Sequence, residues 1–482
     1  MDHDNDRDNP AASNERLPPW MAEISQLGGP RYLAIAQGVR KALVSGALKP
    51  GERLPPQRLF ARLLGLNLGT VTRAFDELHN MGLIKGEVGR GTYLAMASST
   101  DAPASLWDHS QPQGFVDLSH NFPERAPGMA GASAVLAGLH PQEAERLLAT
   151  QVDTGHLSHR IAAADWLMRR GVPTAADQVV VTCGAQHGLL LALGALTRPG
   201  DIVLTEELTY YGLKSSAAMM GRPLVGVRMD AQGLLPDALE TAIQRSGAQV
   251  LFCCPTLHNP TTATMSLARR RDIVAVCRQH GVVIVEDDVY GWMPEEALSP
   301  LAALAPERTV YVTGLSKLVG PGLRIGYIAA PSEHIRSLGV ALRATTLMAS
   351  PLNAAAALLA LAPDTMDRIV DETRRETCER QAIVASCLPA SSVVSRPGAF
   401  YFGLRVGNQW TAQAFAHAAE VAGIGVTPYE VFEGTPMAGG GIVRVCHNAA
   451  PDQATLKRAL MGLSSLLGLP KAGAAFGPGG PI

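Results

Sequence analysis

Between residues 178 and 330, short apolar runs alternate with stretches of helical period. The runs are 178–182, 202–205, 249–254, 282–286, 309–313 and 325–330. Such runs, bounded by Gly, Pro or polar residues, predict strands buried on both faces. Segments between several of them, Gln186–Leu196, Leu234–Arg245 and Leu267–His280, read as helices. The alternation predicts an α/β unit with a mostly parallel sheet. Ligands gather at the carboxyl ends of such strands. The residues just after each run are therefore the ones to inspect for chemistry.

A different pattern precedes this unit. Ile35, Val39, Leu43 and Val44 mark one face of a helix over Ile35–Ser45, stopped at Gly46. Pro55 and Pro56 lead a second helix, Gln57–Leu64, which ends at Gly65. Gly69–Met81 is a third, with Val71, Phe75 and Leu78 inward and Gly82 closing it. Two strands follow, Leu83–Glu87 and Gly91–Ala95, joined through Val88-Gly89-Arg90. Three helices and a β-wing predict a winged helix-turn-helix whose third helix enters the major groove of DNA.

The expected organisation is a polar tail over 1–19, the winged helix over 20–95 and a linker over 96–116. A large unit over 117–465 and a Gly/Pro-rich tail over 466–482 complete it. The length of 482 residues agrees, being too great for one hydrophobic core. With 47% hydrophobic and 17% charged residues, general disorder is excluded. The longest apolar stretch, around Gly188–Leu196, is far short of the ~20 residues that span a bilayer. The acidic start (Asp2, Asp4, Asp6, Asp8) is unlike a secretory signal, so a cytoplasmic protein is expected.

Cysteines stand at 183, 253, 254, 277, 378, 387 and 446, with no CxxC pair. Neither a zinc site nor a disulfide framework is indicated, and no metal is expected. The net charge of −2 hides an asymmetry: residues 20–95 carry ten Lys/Arg against five acids. A basic module on an acidic body points to a polyanion partner for the module.

Three segments of the first unit carry a resemblance. Ser45-Gly46-Ala47-Leu48-Lys49-Pro50-Gly51-Glu52-Arg53-Leu54-Pro55-Pro56-Gln57-Arg58 resembles the GntR family, as do Gly69–Leu78 and Gly89-Arg90-Gly91-Thr92-Tyr93. The resemblance implies DNA contacts by Arg53, Arg58, Thr70 and Arg73, with Gly89 and Arg90 at the wing tip. Where the family often has Ser-Arg before its Thr-Val, this chain has Asn67, Leu68 and Gly69.

In the large unit, Lys317 follows the 309–313 run inside the Gly/Pro-rich turn Gly314–Gly322. A lysine desolvated there can attack an aldehyde. Arg324 lies seven residues on, and its planar fork suits a phosphate. The stretch Gly314–Tyr327 resembles the cofactor-lysine motif of fold-type I, class I/II aminotransferases. Further anchors occur in the family's order over roughly 117–465.

That resemblance implies a mostly parallel seven-stranded sheet sandwiched by helices, with a smaller C-terminal subdomain. It implies pyridoxal 5'-phosphate carried on Lys317. Gly184, Ala185 and Gln186 would bind the phosphate at a helix N-terminus. Tyr210 would stack on the ring, and Asn259 and Tyr290 would hydrogen-bond its phenolic oxygen. Asp287 would face the ring nitrogen and keep it protonated. Arg444 would grip a substrate α-carboxylate. Gly314 stands where a hydroxyl residue is common, leaving Thr313 or Ser316 for the phosphate.

The two resemblances together match the MocR/GabR-type regulators. They imply a homodimer that binds operator DNA and responds to an amino acid, an amine or pyridoxal phosphate. An active aminotransferase carrying an accessory winged helix remains the alternative.

Overall fold

The computed structural model describes residues 18–22, 24, 30–44, 47–48, 51–80, 83–87, 91–94, 114–150, 152–296, 298–433 and 441–468. The chain divides into two compact units between residues 99 and 100. The wing tip Gly89 and Arg90, Gly82, most of the expected linker and most of both expected tails lie outside the described residues.

In the first unit, helices Arg31–Val44, Gln57–Leu64 and Leu68–Asn80 precede an antiparallel pair, Ile84–Glu87 and Gly91–Leu94. Ile35, Val39, Phe60, Val71, Phe75, Leu78, Ile84 and Leu94 form one buried cluster. Phe60 and Phe75 meet edge to face at 5.4 Å. Gly65 ends the second helix in the left-handed region (φ 65°), where its N–H reaches the Ala61 and Arg62 carbonyls.

The first helix begins four residues earlier than the apolar pattern indicates. Pro30 starts it, its carbonyl accepting from Leu33 and Ala34. Arg31 faces outward and Tyr32 and Leu33 sit half-buried, while the buried Ala34 is too small to mark an apolar face. A further short helix, Pro19–Ala22, buries Met21 in the same cluster.

In the second unit, alternate residues of each central strand enter two different cores. Val203, Val250, Phe252 and Val285 pack on one side, while Leu204, Leu251, Cys253 and Ile284 pack on the other. Helices Ala185–Leu196 and Ser332–Thr345 cover the first face, and Pro236–Ser246 and Leu267–His280 cover the second. Both faces are covered, so the strands read as continuous apolar runs.

The sheet has seven strands in the order Val179–Thr182, Gly326–Ala329, Thr309–Gly314, Val283–Asp287, Val250–Cys253, Val203–Glu206, Leu224–Val227. All neighbours are parallel except Gly326–Ala329, which runs antiparallel to both of its partners. The edge strand Leu224–Val227 carries Gly226 and has three half-buried residues. Its apolar run is short and interrupted by that glycine.

A smaller four-stranded antiparallel sheet follows, in the order Val393–Val394, Phe402–Arg405, Ile442–Val445, Thr427–Pro428. Val116–Asp117 pairs in parallel with Ile424–Gly425 beside it. The start of the large unit is thus stitched to its end, and residues 119–122 lead from there to the functional cavity. No helix among the described residues is long and apolar enough to cross a membrane.

Candidate functional site

A cavity enclosing about 740 Å³, part of it open to solvent, lies at the carboxyl ends of the central strands. Asp287 ends the strand Val283–Asp287, and Lys317 stands three residues beyond Thr309–Gly314. Asn259 follows Val250–Cys253 by six residues, and Tyr210 follows Val203–Glu206 by four. All four line the cavity, with Tyr290, Ser316, Arg324, Ala185 and Gln186. Parallel strands end together, so residues far apart in sequence converge.

Lys317 is 8% exposed. Its Nζ donates to the Asn121 carbonyl and lies 4.3 Å from the centre of the Phe122 ring. Burial pushes its amine down to about 7, toward the neutral, nucleophilic form. Asp287 is moved the other way: burial raises its carboxyl to about 7. Its Oδ1 is buried and accepts no hydrogen bond. A buried carboxylate oxygen without a donor on a cavity wall fits a ligand that brings one. Tyr290 is buried beside Phe400 and Tyr401, and its hydroxyl accepts from Asn121 Nδ2.

The opposite end of the cavity is built by glycines. Gly184 (φ 90°) precedes the helix Ala185–Leu196, and a Cβ on it would meet Arg324 Nη2 at 2.6 Å. A Cβ on Gly326 would meet the Gly184 carbonyl carbon at 2.7 Å. Their absence lets Arg324 lie across the helix N-terminus, where its Nη2 donates to the Cys183 carbonyl at 3.1 Å. Free N–H groups, the helix dipole and a guanidinium together suit an anion. Ser316 lines this cavity, whereas the Thr313 hydroxyl donates to the Asp288 carbonyl. Ser316 is therefore the hydroxyl available there. The Gln186 amide is committed elsewhere, donating to the Gly212 carbonyl and the Ser216 hydroxyl, each at 2.9 Å.

Arg444 is tied to the cavity wall through Asn259, and its Nε is buried without a hydrogen-bond partner. It lies in Ile442–Val445, is fully buried and does not line the cavity. Nη1 donates to Asn259 Oδ1 at 2.8 Å, and Nη2 donates to the Ser119 carbonyl at 2.5 Å. Phe432 covers the guanidinium at 4.7 Å, with Tyr211 and Tyr401 each at 5.9 Å. The bond to Asn259 Oδ1 fixes that amide and leaves Nδ2 as the donor on the cavity side.

Several residues that shape the site carry no sequence signal of their own. Asn121 and Phe122 follow a two-residue strand too short to show a period. Asp288 is fully buried behind Asp287. Its Oδ2 pairs with Arg170 Nη2 and accepts from the Tyr311 hydroxyl, both at 2.9 Å. Gly291 makes room for this clamp, since a Cβ there would meet Asp288 Oδ2 at 2.1 Å. The adjacent acids at 286–288 are the trace this clamp leaves in the sequence.

In the first unit, Arg53, Arg58 and Arg73 are exposed. Arg73 stacks over Tyr32 at 4.7 Å, which orients its guanidinium. Thr70 is partly spoken for: its N–H and hydroxyl both donate to Asn67 Oδ1, at 2.8 and 2.9 Å. Asn67 is thus the cap of the helix Leu68–Asn80, so the unusual Asn67-Leu68-Gly69 run begins with a helix-starting residue.

Residues 115–463 match the model for aminotransferase class I and II, and the chain belongs to that family. Its fold typically holds pyridoxal phosphate. Residues 31–94 match the model for bacterial regulatory proteins, gntR family. The two joined in one chain are the MocR-type arrangement.

The chain is 26% identical over 459 residues to the uncharacterized HTH-type transcriptional regulator YdeF of Bacillus subtilis, covering 95% of this chain and 99% of that protein. It is 28% identical over 314 residues to the HTH-type pyridoxine biosynthesis transcriptional regulator PdxR of Corynebacterium glutamicum, covering 63% and 67%. The crystal structure of LysN, an alpha-aminoadipate aminotransferase of Thermus thermophilus complexed with N-(5'-phosphopyridoxyl)-L-leucine, superposes with a TM-score of 0.68. It is 22% identical and covers 74% of this chain and 92% of its own.

Proposed function

We propose that the protein is a DNA-binding transcriptional regulator whose large unit holds pyridoxal 5'-phosphate on Lys317 and senses an amine, an amino acid or the cofactor itself. The observation that carries this reading is the meeting of Lys317, Asp287, Tyr290, Asn259 and Arg324 on one cavity wall. The orphaned Asp287 Oδ1 and the glycine-lined helix N-terminus fit the ring nitrogen and the phosphate of that group. When bound, the cofactor supplies an aldehyde that amines can condense with and a ring that withdraws electrons.

The chain's own residues have distinct tasks in this reading. The helix N-terminus at Gly184–Gln186, with Arg324 and Ser316, holds the phosphate. Tyr210 packs against the ring, and Asn259 Nδ2 and the Tyr290 hydroxyl hold its phenolic oxygen. Asp287, as the carboxylate, keeps a proton on the ring nitrogen. Burial lowers the Lys317 amine to about 7, so that a large share of it is unprotonated and able to react near neutral pH.

An exposed Arg53, Arg58 and Arg73 on a basic winged helix would hold operator DNA, with Arg73 on the helix that enters the major groove. A homodimer would present two such modules to two half-sites. An effector shifts DNA affinity only to the extent that it favours one state of the large unit over another.

The test combines spectroscopy and DNA binding. Protein purified with ample pyridoxal phosphate should show a visible band, and borohydride should fix the cofactor to Lys317. Candidate amines should then shift operator affinity at constant salt. Colourless protein with an unmodified Lys317 overturns the reading. Repeated turnover of amino acids with 2-oxoacids would instead establish the aminotransferase alternative, which the completeness of the same wall supports.

A further inference from the structure

Asn121 touches both Lys317 and Tyr290. Its carbonyl accepts from Lys317 Nζ, and its Nδ2 donates to the Tyr290 hydroxyl. The side chain is buried and lies on the cavity wall. Yet Asn121 is not among the residues that would hold the ring, the phosphate or the phenolic oxygen.

The segment that carries it is closely held. Asp117 Oδ1 accepts from the Ser119 N–H at 2.8 Å and from its hydroxyl at 2.5 Å, and Asp117 Oδ2 lies 2.6 Å from His120 Nδ1. The Ser119 carbonyl accepts from Arg444 Nη2 at 2.5 Å and from Thr427 Oγ1 at 3.2 Å. Phe122 follows, its ring centre 4.3 Å from Lys317 Nζ. The backbone that presents the Asn121 amide to Tyr290 is therefore fixed to the small sheet and to the lysine.

Donor counting gives the amide a task. A tyrosine hydroxyl has one hydrogen to give and can accept at its oxygen. If that hydrogen goes to the phenolic oxygen of a bound cofactor, what remains on Tyr290 is an acceptor, and Asn121 Nδ2 fills it. A hydroxyl that accepts a hydrogen bond becomes a stronger donor. The other end of the amide, Oδ1, is buried without a donor. With the amide reversed, Oδ1 would take the hydroxyl's hydrogen and deny it to the cofactor.

We propose that Asn121 is a positioning residue for the cofactor: its amide orients the Tyr290 hydroxyl and strengthens that hydroxyl's hydrogen bond to the phenolic oxygen. This rests on the reading of the cavity as a pyridoxal phosphate site and adds a residue to it. A stronger donor favours the phenolic anion, so it lowers the pH at which the cofactor linked to Lys317 gives up its proton. The other titratable groups facing Tyr290 are Lys317, Asp287, Arg444, Tyr401, Cys254 and Cys446. A substitution at Asn121 leaves all of them in the chain.

The experiment follows the visible band of the full-length, cofactor-loaded protein across pH. Asn121→Ala should raise the midpoint of that titration by about half a unit, the size of one modest hydrogen bond. Asn121→Leu, which fills the space without a donor, should do the same and serves if the alanine variant unfolds. Tyr290→Phe should raise the midpoint further. Adding Asn121→Ala to Tyr290→Phe should then change nothing, because the amide acts through the hydroxyl.

An unchanged midpoint in both Asn121 variants overturns the proposal. So does a fall, which is what the reversed amide would give. An equal rise with and without the Tyr290 hydroxyl also overturns it, since Asn121 would then act by packing or on the cofactor directly. Wild-type protein that is colourless would defeat the underlying cofactor reading instead, which separates the two failures.

Discussion

Asp287 and Lys317 face one cavity with their charges suppressed by the same cause. Burial raises the carboxyl and lowers the amine, each to about 7. The consequences for stability have opposite signs. The folded state holds a proton on Asp287 between about pH 4 and 7 that the unfolded chain has lost, so this group's stabilisation is lost as pH rises through 7. For Lys317 the unfolded chain holds the extra proton between about pH 7 and 10, so its stabilisation is lost as pH falls through 7.

These two groups by themselves place a stability minimum near pH 7 in the cofactor-free protein, while the buried His258 and His447, lowered by burial to about 4 and about 3, add stability as pH rises toward 6.5, so the test reads differences between variant and wild type. A tenfold change in proton affinity is worth ~1.4 kcal/mol, so both limbs should be measurable. Asp287→Asn should flatten the acid limb and Lys317→Met the alkaline one, as read by thermal melts across pH. Burial also raises Glu206 and Glu286, so part of the acid limb should survive in Asp287→Asn. Identical pH profiles in wild type and both variants would refute the assignment.

At the scale of elements, the turn after the strand Val283–Asp287 is what holds Asp287 and Tyr290 toward one point. Asp288 anchors that turn to Arg170, the last residue of the helix Leu157–Arg170, and to Tyr311 in the neighbouring strand. A methyl group at Gly291 would strike both partners of the ion pair, since Arg170 Nε is 2.4 Å from the Cβ position. Gly291→Ala should cost about 1–3 kcal/mol in chemical denaturation and weaken cofactor retention. Asp288→Asn keeps the shape but removes the charge, and should also loosen cofactor while leaving DNA affinity of the cofactor-free protein unchanged.

The helix Leu68–Asn80 poses a simpler case. Asn67 Oδ1 accepts two hydrogen bonds from Thr70 at its start. Asn67→Ala should destabilise the winged helix by about 1 kcal/mol, and Asn67→Ser should recover most of it. A loss of DNA affinity in Asn67→Ala without loss of stability would show that Asn67 touches DNA rather than capping the helix.

Over the whole molecule, charge is unevenly divided. The segment 20–95 is basic while the net charge is −2. DNA binding should fall steeply with salt, and each phosphate contact removed should lower the slope of log K against log salt by about 0.9. Arg53→Ala and Arg58→Ala should each do so if they touch phosphates. If Arg73 reads a base, Arg73→Ala should instead relax sequence preference. Unchanged slopes and unchanged preference in all three would move the DNA surface elsewhere.

Much of this molecule is legible in its chain. Six of the seven central strands announce themselves because both sheet faces are covered, and covered strands must be apolar throughout. The winged helix shows through its punctuation, with Gly65 and the proline pair bracketing the second helix. Lys317, Asp287, Asn259 and Tyr210 are findable because parallel strands deliver their ends to one place.

Other features belong to the tertiary structure alone. The antiparallel strand Gly326–Ala329 looks like its neighbours, since burial and not direction sets its composition. Asn121 reaches the cavity through a two-residue pairing across some 300 positions of sequence, between Val116–Asp117 and Ile424–Gly425. Arg444 lies in a strand whose apolar neighbours are plain to read, yet its bond to Asn259 and its aromatic surround of Phe432, Tyr211 and Tyr401 come from separate segments. Sequence specifies which residues carry chemistry because side-chain type is local. Packing decides which of them a ligand can touch, because access depends on everything that folds in front.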